Sequence, residues 1–194
     1  VELKIMAKAK TAPEAERNIA IIEKKIRSRL KEYIFGCDSD TLEGAVVAAL
    51  TKKGLTIAAA ESCTGGLLAN RITNVSGSSE CFKAGIIVYS NEAKESFLGV
   101  SHKTLKTHGA VSSPVAIEMA HAIKHYACSD IGVSITGIAG PTGGTKKKPV
   151  GLVYIAVATD KKCVVKELHL RGLREDIKYQ SSQTALNLIK QNIL

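Results

Sequence analysis

The spacing of apolar positions changes period several times along the chain, and each change predicts an element. Residues 2–9, ELKIMAKA, alternate as a strand does, with period two. Over 13–31 the period becomes helical: Ile19, Ile22, Ile26 and Leu30 recur on one face, and Pro13 suits the first turn. Tyr33-Ile34-Phe35 is a short apolar patch before the polar CDSD, which predicts a boundary near Asp38–Asp40. Beyond it, Asp40 and Glu43 have the spacing of a capping box for the helix TLEGAVVAALTKK. That helix is expected to bury Leu42, Val46, Ala49 and Leu50 and to end at Gly54.

LTIAAA (55–60) then reads as a buried small-residue strand, and a helix runs from about Gly65 to Thr73. AGIIVYS (84–90) is an apolar strand and NEAKESFL (91–98) a short helix. Ser113 with Pro114 caps a longer helix to about Tyr126. IGVSIT (131–136) is a further strand, and the glycine-rich loop GIAGPTGGTKKKP follows it. GLVYIAVAT and CVVKELHLR form a hairpin about Asp160-Lys161. An amphipathic helix from about Arg174 buries Ile177, Ala185, Leu188 and Ile189.

Strands alternating with helices predict an α/β protein: a three-layer α/β/α domain over 41–194 with a mixed, mostly parallel sheet. Residues 1–40 are expected to be a short α+β remnant of a preceding unit, and a first residue of Val implies that the natural start is missing. With 45% hydrophobic residues but only three Phe and no Trp, the core must be built from Ala, Val, Ile and Leu. No apolar run approaches the ~20 residues of a membrane helix and no signal peptide is visible, so a cytoplasmic location is expected. The net charge of +9 is scattered, with Lys146-Lys147-Lys148 the one dense run. With few aromatics to stack on bases, this argues for small anionic ligands over nucleic acid. Five dispersed cysteines without a CxxC pair support neither a disulfide framework nor a zinc site. His121 and His125, one turn apart, lack a third ligand, so no metal is expected.

Three polar clusters fall where strands end and helices begin, the usual place for ligands in such sheets: ESCTGG, YSNEAK and TGIAGPTGG. In the first, Ser62 or Thr64 before Gly65-Gly66 reads foremost as a helix cap; the alternative is a hydroxyl nucleophile beside backbone N–H donors. The pattern is neither a P-loop nor GxSxG. In the second, Lys94 sits in the first turn of a helix capped by Ser90 or Asn91. The positive helix terminus, with partial burial, would lower its pKa toward that of a general base. Tyr89 offers a hydroxyl to orient that amine. In the third, the glycines let backbone N–H groups approach a ligand, Thr136, Thr142 and Thr145 offer hydroxyls, and the lysine run and Arg174 suit a phosphate. Ser79 is a rival nucleophile, and His108 a weaker base candidate for Ser62 or Cys63.

Taken in order, ESCTGGLLA, GSS, VYSNEAK, LGV, HGAVSS, EMA, TGIAGPTGG and KPVGLVYIA resemble the C-terminal domain of the competence/damage-inducible protein CinA family. The likeness covers about Leu42 to Leu194, and AKA, the first helix and YIFGCDSDTLE are similar to the end of the linker domain in full-length CinA proteins. The resemblance implies a nicotinamide mononucleotide amidohydrolase of pyridine nucleotide (NAD) recycling that needs neither metal nor cofactor. By position it makes Ser62 the nucleophile and Lys94 the base, with Tyr89 assisting. Thr64, Gly65, Gly66, Ser79, Asn91, Thr136, Gly137, Ala139, Gly140 and Arg174 would surround the substrate, and N–H groups at the start of the helix after ESCTGG would hold the oxyanion. The alternative is a non-catalytic nucleotide-binding or assembly module linked to competence or DNA damage. An exposed apolar sheet edge or helix would support a homodimer.

Overall fold

Five apolar runs pair into one sheet: β1 (Ile57–Glu61), β2 (Phe82–Ile87), β3 (Ile131–Gly137), β4 (Leu152–Ala158) and β5 (Cys163–His169). In this computed structural model, which describes residues 2–193 apart from the Glu32 side chain, the strand order is β2-β1-β3-β4-β5. β1 lies parallel to both β2 and β3, while β3–β4 and β4–β5 are antiparallel. The sheet is therefore mixed, with β4 alone running against the other four.

The chain divides into two compact units, Val1–Asp40 and Thr41–Leu194. In the first, α1 (Ala12–Leu30) has Pro13 in its first turn and passes into a 3₁₀ turn, Lys31–Tyr33. Residues 2–9 form no strand, contrary to their alternation, because within this unit no neighbouring strand takes their N–H and C=O groups. The apolar stripe of α1 stays half open: Ile19, Ile26 and Leu30 are half-buried and Ile22 is exposed.

In the second unit, α2 (Leu42–Lys53), α3 (Leu67–Thr73) and α7 (Arg174–Ile193) cover one sheet face. α4 (Asn91–Leu98), α5 (His102–His108) and α6 (Ser113–Tyr126) cover the other. The period-two side chains of β1 divide accordingly. Ile57 and Ala59 join Leu50, Leu68, Val133 and Leu186, whereas Ala58 and Ala60 join Val88, Val115, Met119 and Ile123. The first layer is tied by Arg71, a buried residue of α3. Its guanidinium donates to Glu43 of α2 at 2.9 Å and to Ser182 and Gln183 of α7 at 2.9 and 2.6 Å. It also stacks on Tyr179, 4.9 Å from the ring centroid.

Several ends differ from the sequence expectation. The cap of α2 is Thr41, whose Oγ1 accepts from the Gly44 N–H at 3.1 Å. Asp40 lies one residue too early to cap, and its carboxylate accepts from the Cys37 N–H instead. α6 is preceded by Ser112, not Ser113, and the Ser112 hydroxyl donates to the Gly109 carbonyl rather than capping. β2 begins at Phe82 and alternates between half-buried and exposed, because it is an edge strand. α5 was not visible as a helix: it is short, mostly polar and buries only Leu105.

The C-terminal ends of β1, β2 and β3 emerge together, which brings the three polar clusters to one edge of the sheet. α6 crosses β3 very closely at Gly132, where a Cβ would stand 2.0 Å from the Ala120 carbonyl oxygen and 2.7 Å from Lys124 Cβ. Gly132→Ala is therefore expected to lower stability by about 1–3 kcal/mol, measured as a drop in Tm, as helix and strand are forced apart. An unchanged Tm would mean that α6 rides over this strand without cost.

Candidate active site

At the end of β1 the backbone turns sharply. The Ser62 N–H donates to the Ile135 carbonyl of β3 at 2.9 Å, and the Gly65 N–H returns to the Ser62 carbonyl at 3.1 Å. Gly65 and Gly66 complete the turn with φ of 62° and 93°, left-handed values that a side chain at either position would strain. α3 follows with Gly66 at its N-cap and no capping side chain there. The cap comes from Glu61, which is 1% exposed and carries its carboxylate beneath the turn. One oxygen accepts from the N–H groups of Gly66 and Leu68, each at 3.1 Å, and the other from Ala69 at 2.8 Å. The helix-start donors expected to hold an oxyanion are thus already taken.

The neighbouring strand end supplies the lysine. Ser90 caps α4 by accepting from the Ala93 N–H, which sets Lys94 in the first turn. Its side chain folds back under the exit of β2, and only 1% of the residue stays exposed. The amine Nζ stands 3.1 Å from Ser62 Oγ, 2.8 Å from the Val88 carbonyl oxygen and 3.4 Å from that of Ser90. Burial lowers its pKa from the ordinary lysine value, against the opposite pull of Cys63 and Glu92. A neutral amine in this position gives its two N–H bonds to the two carbonyls and turns its lone pair to the Ser62 hydroxyl. That is the arrangement a general base requires.

Cys63, next to the nucleophile candidate, is the more reactive side chain by type. Here burial pushes its thiol up to about 12, so it carries no thiolate at neutral pH and is inert.

Above Ser62 lies an open cleft of about 280 Å³, walled by Ser62, Cys63, Tyr89, Gly137, Ile138, Ala139, Gly140, Thr142, Gly143 and Arg174. Arg174, the first residue of α7, arches over it and donates to the Gly140 carbonyl and to the Tyr89 hydroxyl, both at 2.7 Å. Tyr89 is 60% exposed, and its hydroxyl meets Arg174 rather than Lys94.

The structure therefore brings together Ser62, Lys94, Tyr89, Gly137, Ala139, Gly140 and Arg174. The other expected residues stand apart from the cleft wall. Ser79 lies before β2, on a 3₁₀ turn at the far end of a six-residue strand. At about 3.3 Å per residue this sets it roughly 20 Å from Lys94. Thr136 is buried and donates to the Ala110 carbonyl at 2.9 Å, pinning the approach to α6 onto β3. Asn91 is exposed at the start of α4. Gly65 and Gly66 shape the turn from behind. Thr64 is fully buried, and its hydroxyl is the one buried side-chain polar atom without a partner among the described residues.

The lysine run divides likewise. Lys148 donates to the carbonyls of His108 and Val111 and so clips the glycine-rich loop to the α5–α6 connection, leaving Lys146 and Lys147 exposed. The His108 side chain is exposed as well. Glu61 is the functional candidate that sequence reasoning missed. Its one sequence signal was an acid closing an apolar strand just before a glycine turn. The expected cap, Ser62 or Thr64, does not cap α3, whose N-cap is Gly66, and Glu61 takes that place. Among the described residues no group of His, Cys, Asp and Glu could hold a metal ion, and no helix is long and apolar enough to cross a membrane.

Similarity to known proteins bears on the family and the fold. Residues 39–193 match the family model of the CinA C-terminal domain. A CinA-like protein of Kosmotoga olearia is 53% identical over 194 residues, which are all of this chain and 47% of the relative. A CinA-like protein of Syntrophus aciditrophicus is 45% identical over 192 residues, 98% of this chain and 46% of the relative. The chain thus spans about half the length of the curated relatives it matches. Among solved structures, the competence/damage inducible protein CihA from Agrobacterium tumefaciens superposes with a TM-score of 0.76 at 38% identity, covering 80% of this chain and 96% of that one. A CinA superfamily protein from Escherichia coli superposes with a TM-score of 0.75 at 30% identity, covering 84% and 98%. With its family model matched over most of its length, the chain belongs to the CinA family, and residues 39–193 are its CinA C-terminal domain.

Proposed function

We propose that the domain is an amidohydrolase that converts nicotinamide mononucleotide to nicotinic acid mononucleotide and ammonia. The observation that carries the reading is the buried Lys94 amine 3.1 Å from Ser62 Oγ at the floor of an open cleft. Neutral Lys94 takes the hydroxyl proton as Ser62 Oγ bonds to the carboxamide carbon. N–H groups of Cys63 and Thr64, next along the turn, are the candidates to meet the oxyanion. The C–N bond then breaks, and the lysine's proton leaves with the nitrogen as ammonia. Water attacks the acyl-serine while Lys94 accepts its proton, the ester C–O bond breaks, and the proton returns to Ser62. Arg174 at the cleft mouth suits the substrate phosphate, with Lys146 and Lys147 adding positive charge from the loop.

Ammonia release from nicotinamide mononucleotide, followed by a coupled assay, tests the proposal. Ser62→Ala and Lys94→Ala are each expected to lower kcat by about a thousandfold or more. Lys94→Arg is expected to fail as well, since a guanidinium does not deprotonate. Near-normal rates in the alanine variants would refute the pair. Saturable nucleotide binding without turnover would support the non-catalytic module instead.

Because the reactive lysine is the deprotonated one, kcat/KM is expected to rise with pH and level off at a pH below the ordinary lysine value of 10.5. A flat profile would exclude Lys94 as the titrating base. Arg174→Ala is expected to raise KM for the mononucleotide by about 10–100-fold, with a smaller change in kcat. The same substitution should leave KM for the dephosphorylated riboside unchanged, and equal losses on both compounds would remove Arg174 from the phosphate.

A further inference from the structure

The carboxylate of Glu61 does something the proposed chemistry has not yet used. A turn that presents a nucleophile must be rigid, and the turn from Ser62 to Gly66 contains two glycines with left-handed φ, the least rigid backbone available. α3, which follows it, has seven residues and no capping side chain at its N-cap, so on its own it would fray toward that turn. Three hydrogen bonds from one side chain oppose this. Glu61 reaches forward past the turn and holds the N–H groups of Gly66, Leu68 and Ala69. Its own backbone carbonyl accepts from the Val88 N–H at 2.8 Å, at the strand exit whose carbonyl in turn accepts from Lys94. Ser62 follows it directly and is fixed to β3 through the Ile135 carbonyl. One residue therefore borders both halves of the pair: its side chain sets the turn that aims Ser62 Oγ, and its main chain sets the ledge that receives the lysine amine.

We propose that Glu61 is the positioning residue of the site: its carboxylate locks the glycine turn and the first turn of α3 so that Ser62 Oγ stays on the Lys94 amine. By taking the helix-start donors it also leaves an oxyanion to the N–H groups nearer Ser62. This rests on the Ser62/Lys94 reading above, although it does not depend on which amide is the substrate. Glutamine at this position keeps the shape but trades one accepting oxygen for an NH₂ group that faces an N–H donor, so the turn loosens without leaving a cavity.

The test compares wild-type protein, Glu61→Gln and Glu61→Ala well below their melting temperatures, with two readouts. One is kcat and KM for ammonia release from nicotinamide mononucleotide. The other is the rate at which an aryl sulfonyl fluoride labels Ser62, an O–S bond forming as fluoride leaves and the hydroxyl proton is lost, read as a peptide mass shift. Glu61→Gln is expected to lower kcat by about tenfold to a hundredfold with KM within about threefold, and to slow Ser62 labelling by a similar factor. Wild-type kcat and labelling in Glu61→Gln, with only a lower Tm, would make Glu61 a helix cap and overturn the proposal. Should Glu61→Ala not fold, the glutamine variant decides alone. If wild-type protein releases no ammonia while Ser62 labelling still depends on Glu61, the amidohydrolase reading fails and the positioning role stands. A Ser62 that is unreactive in the wild type overturns both.

Discussion

An amine withdrawn from water must have its hydrogen-bonding directions answered by the protein, and most of the site follows from how Lys94 meets that demand. The Val88 carbonyl is available because β2 has ended, and the Ser90 carbonyl, which accepts from the Lys94 N–H at 3.2 Å as the first bond of α4, also receives the side chain folded beneath it. The third direction points at Ser62. Burial here works against stability and for reactivity, because it weakens the hold of the nitrogen on its proton while the two carbonyls fix its direction. The sheet order is what makes this possible: β2 lies beside β1, so residues 32 apart in sequence meet at adjacent strand exits.

Two titratable side chains flank the turn and take opposite sides of it. Lys94 faces Ser62 Oγ, and Glu61 faces the backbone beyond it. They do not pair with each other; each is answered mainly by peptide groups. A direct ion pair would have raised the lysine pKa and drawn the glutamate away from α3, so keeping them on opposite sides of the turn preserves both sets of hydrogen bonds. Cys63, lying between, stays silent because its surroundings offer a thiolate no adequate compensation for lost water.

Much of this was legible from sequence. Apolar runs and helical spacing located all five strands and six of the seven α-helices among the described residues, since most of those elements bury much of their apolar surface. The short polar α5 buries only one side chain and leaves too weak a trace. The alternation in residues 2–9 misled because alternation states only that a segment is able to lie half-buried, whereas a strand also needs a neighbour. At the site, residue type and position after a strand marked out the three polar clusters but left Ser62 or Thr64 foremost a helix cap, and the choice of Ser62 and Lys94 among them came from the family resemblance. The destination of a long polar side chain was not legible. Thr136 turns to Ala110, Lys148 to His108 and Val111, and Glu61 past the glycine turn to the start of α3, and each choice is decided by free backbone groups brought close by the fold.

The link from the Ser62 N–H to the Ile135 carbonyl has a consequence for the order of assembly. It joins positions 73 apart, and Asp130, at the other end of β3, accepts from Thr56 across a similar span. Local turns and helices form quickly, but contacts of this sequence separation wait for loop closure. The half of the domain that carries both Ser62 and Lys94 therefore precedes, in synthesis and in sequence, the strand that braces it. A nascent or partly folded chain holds the two side chains without the geometry that makes them a pair. The braced form of the Ser62–Lys94 contact is in this sense a late product of folding, since it waits for β3 to enter the sheet.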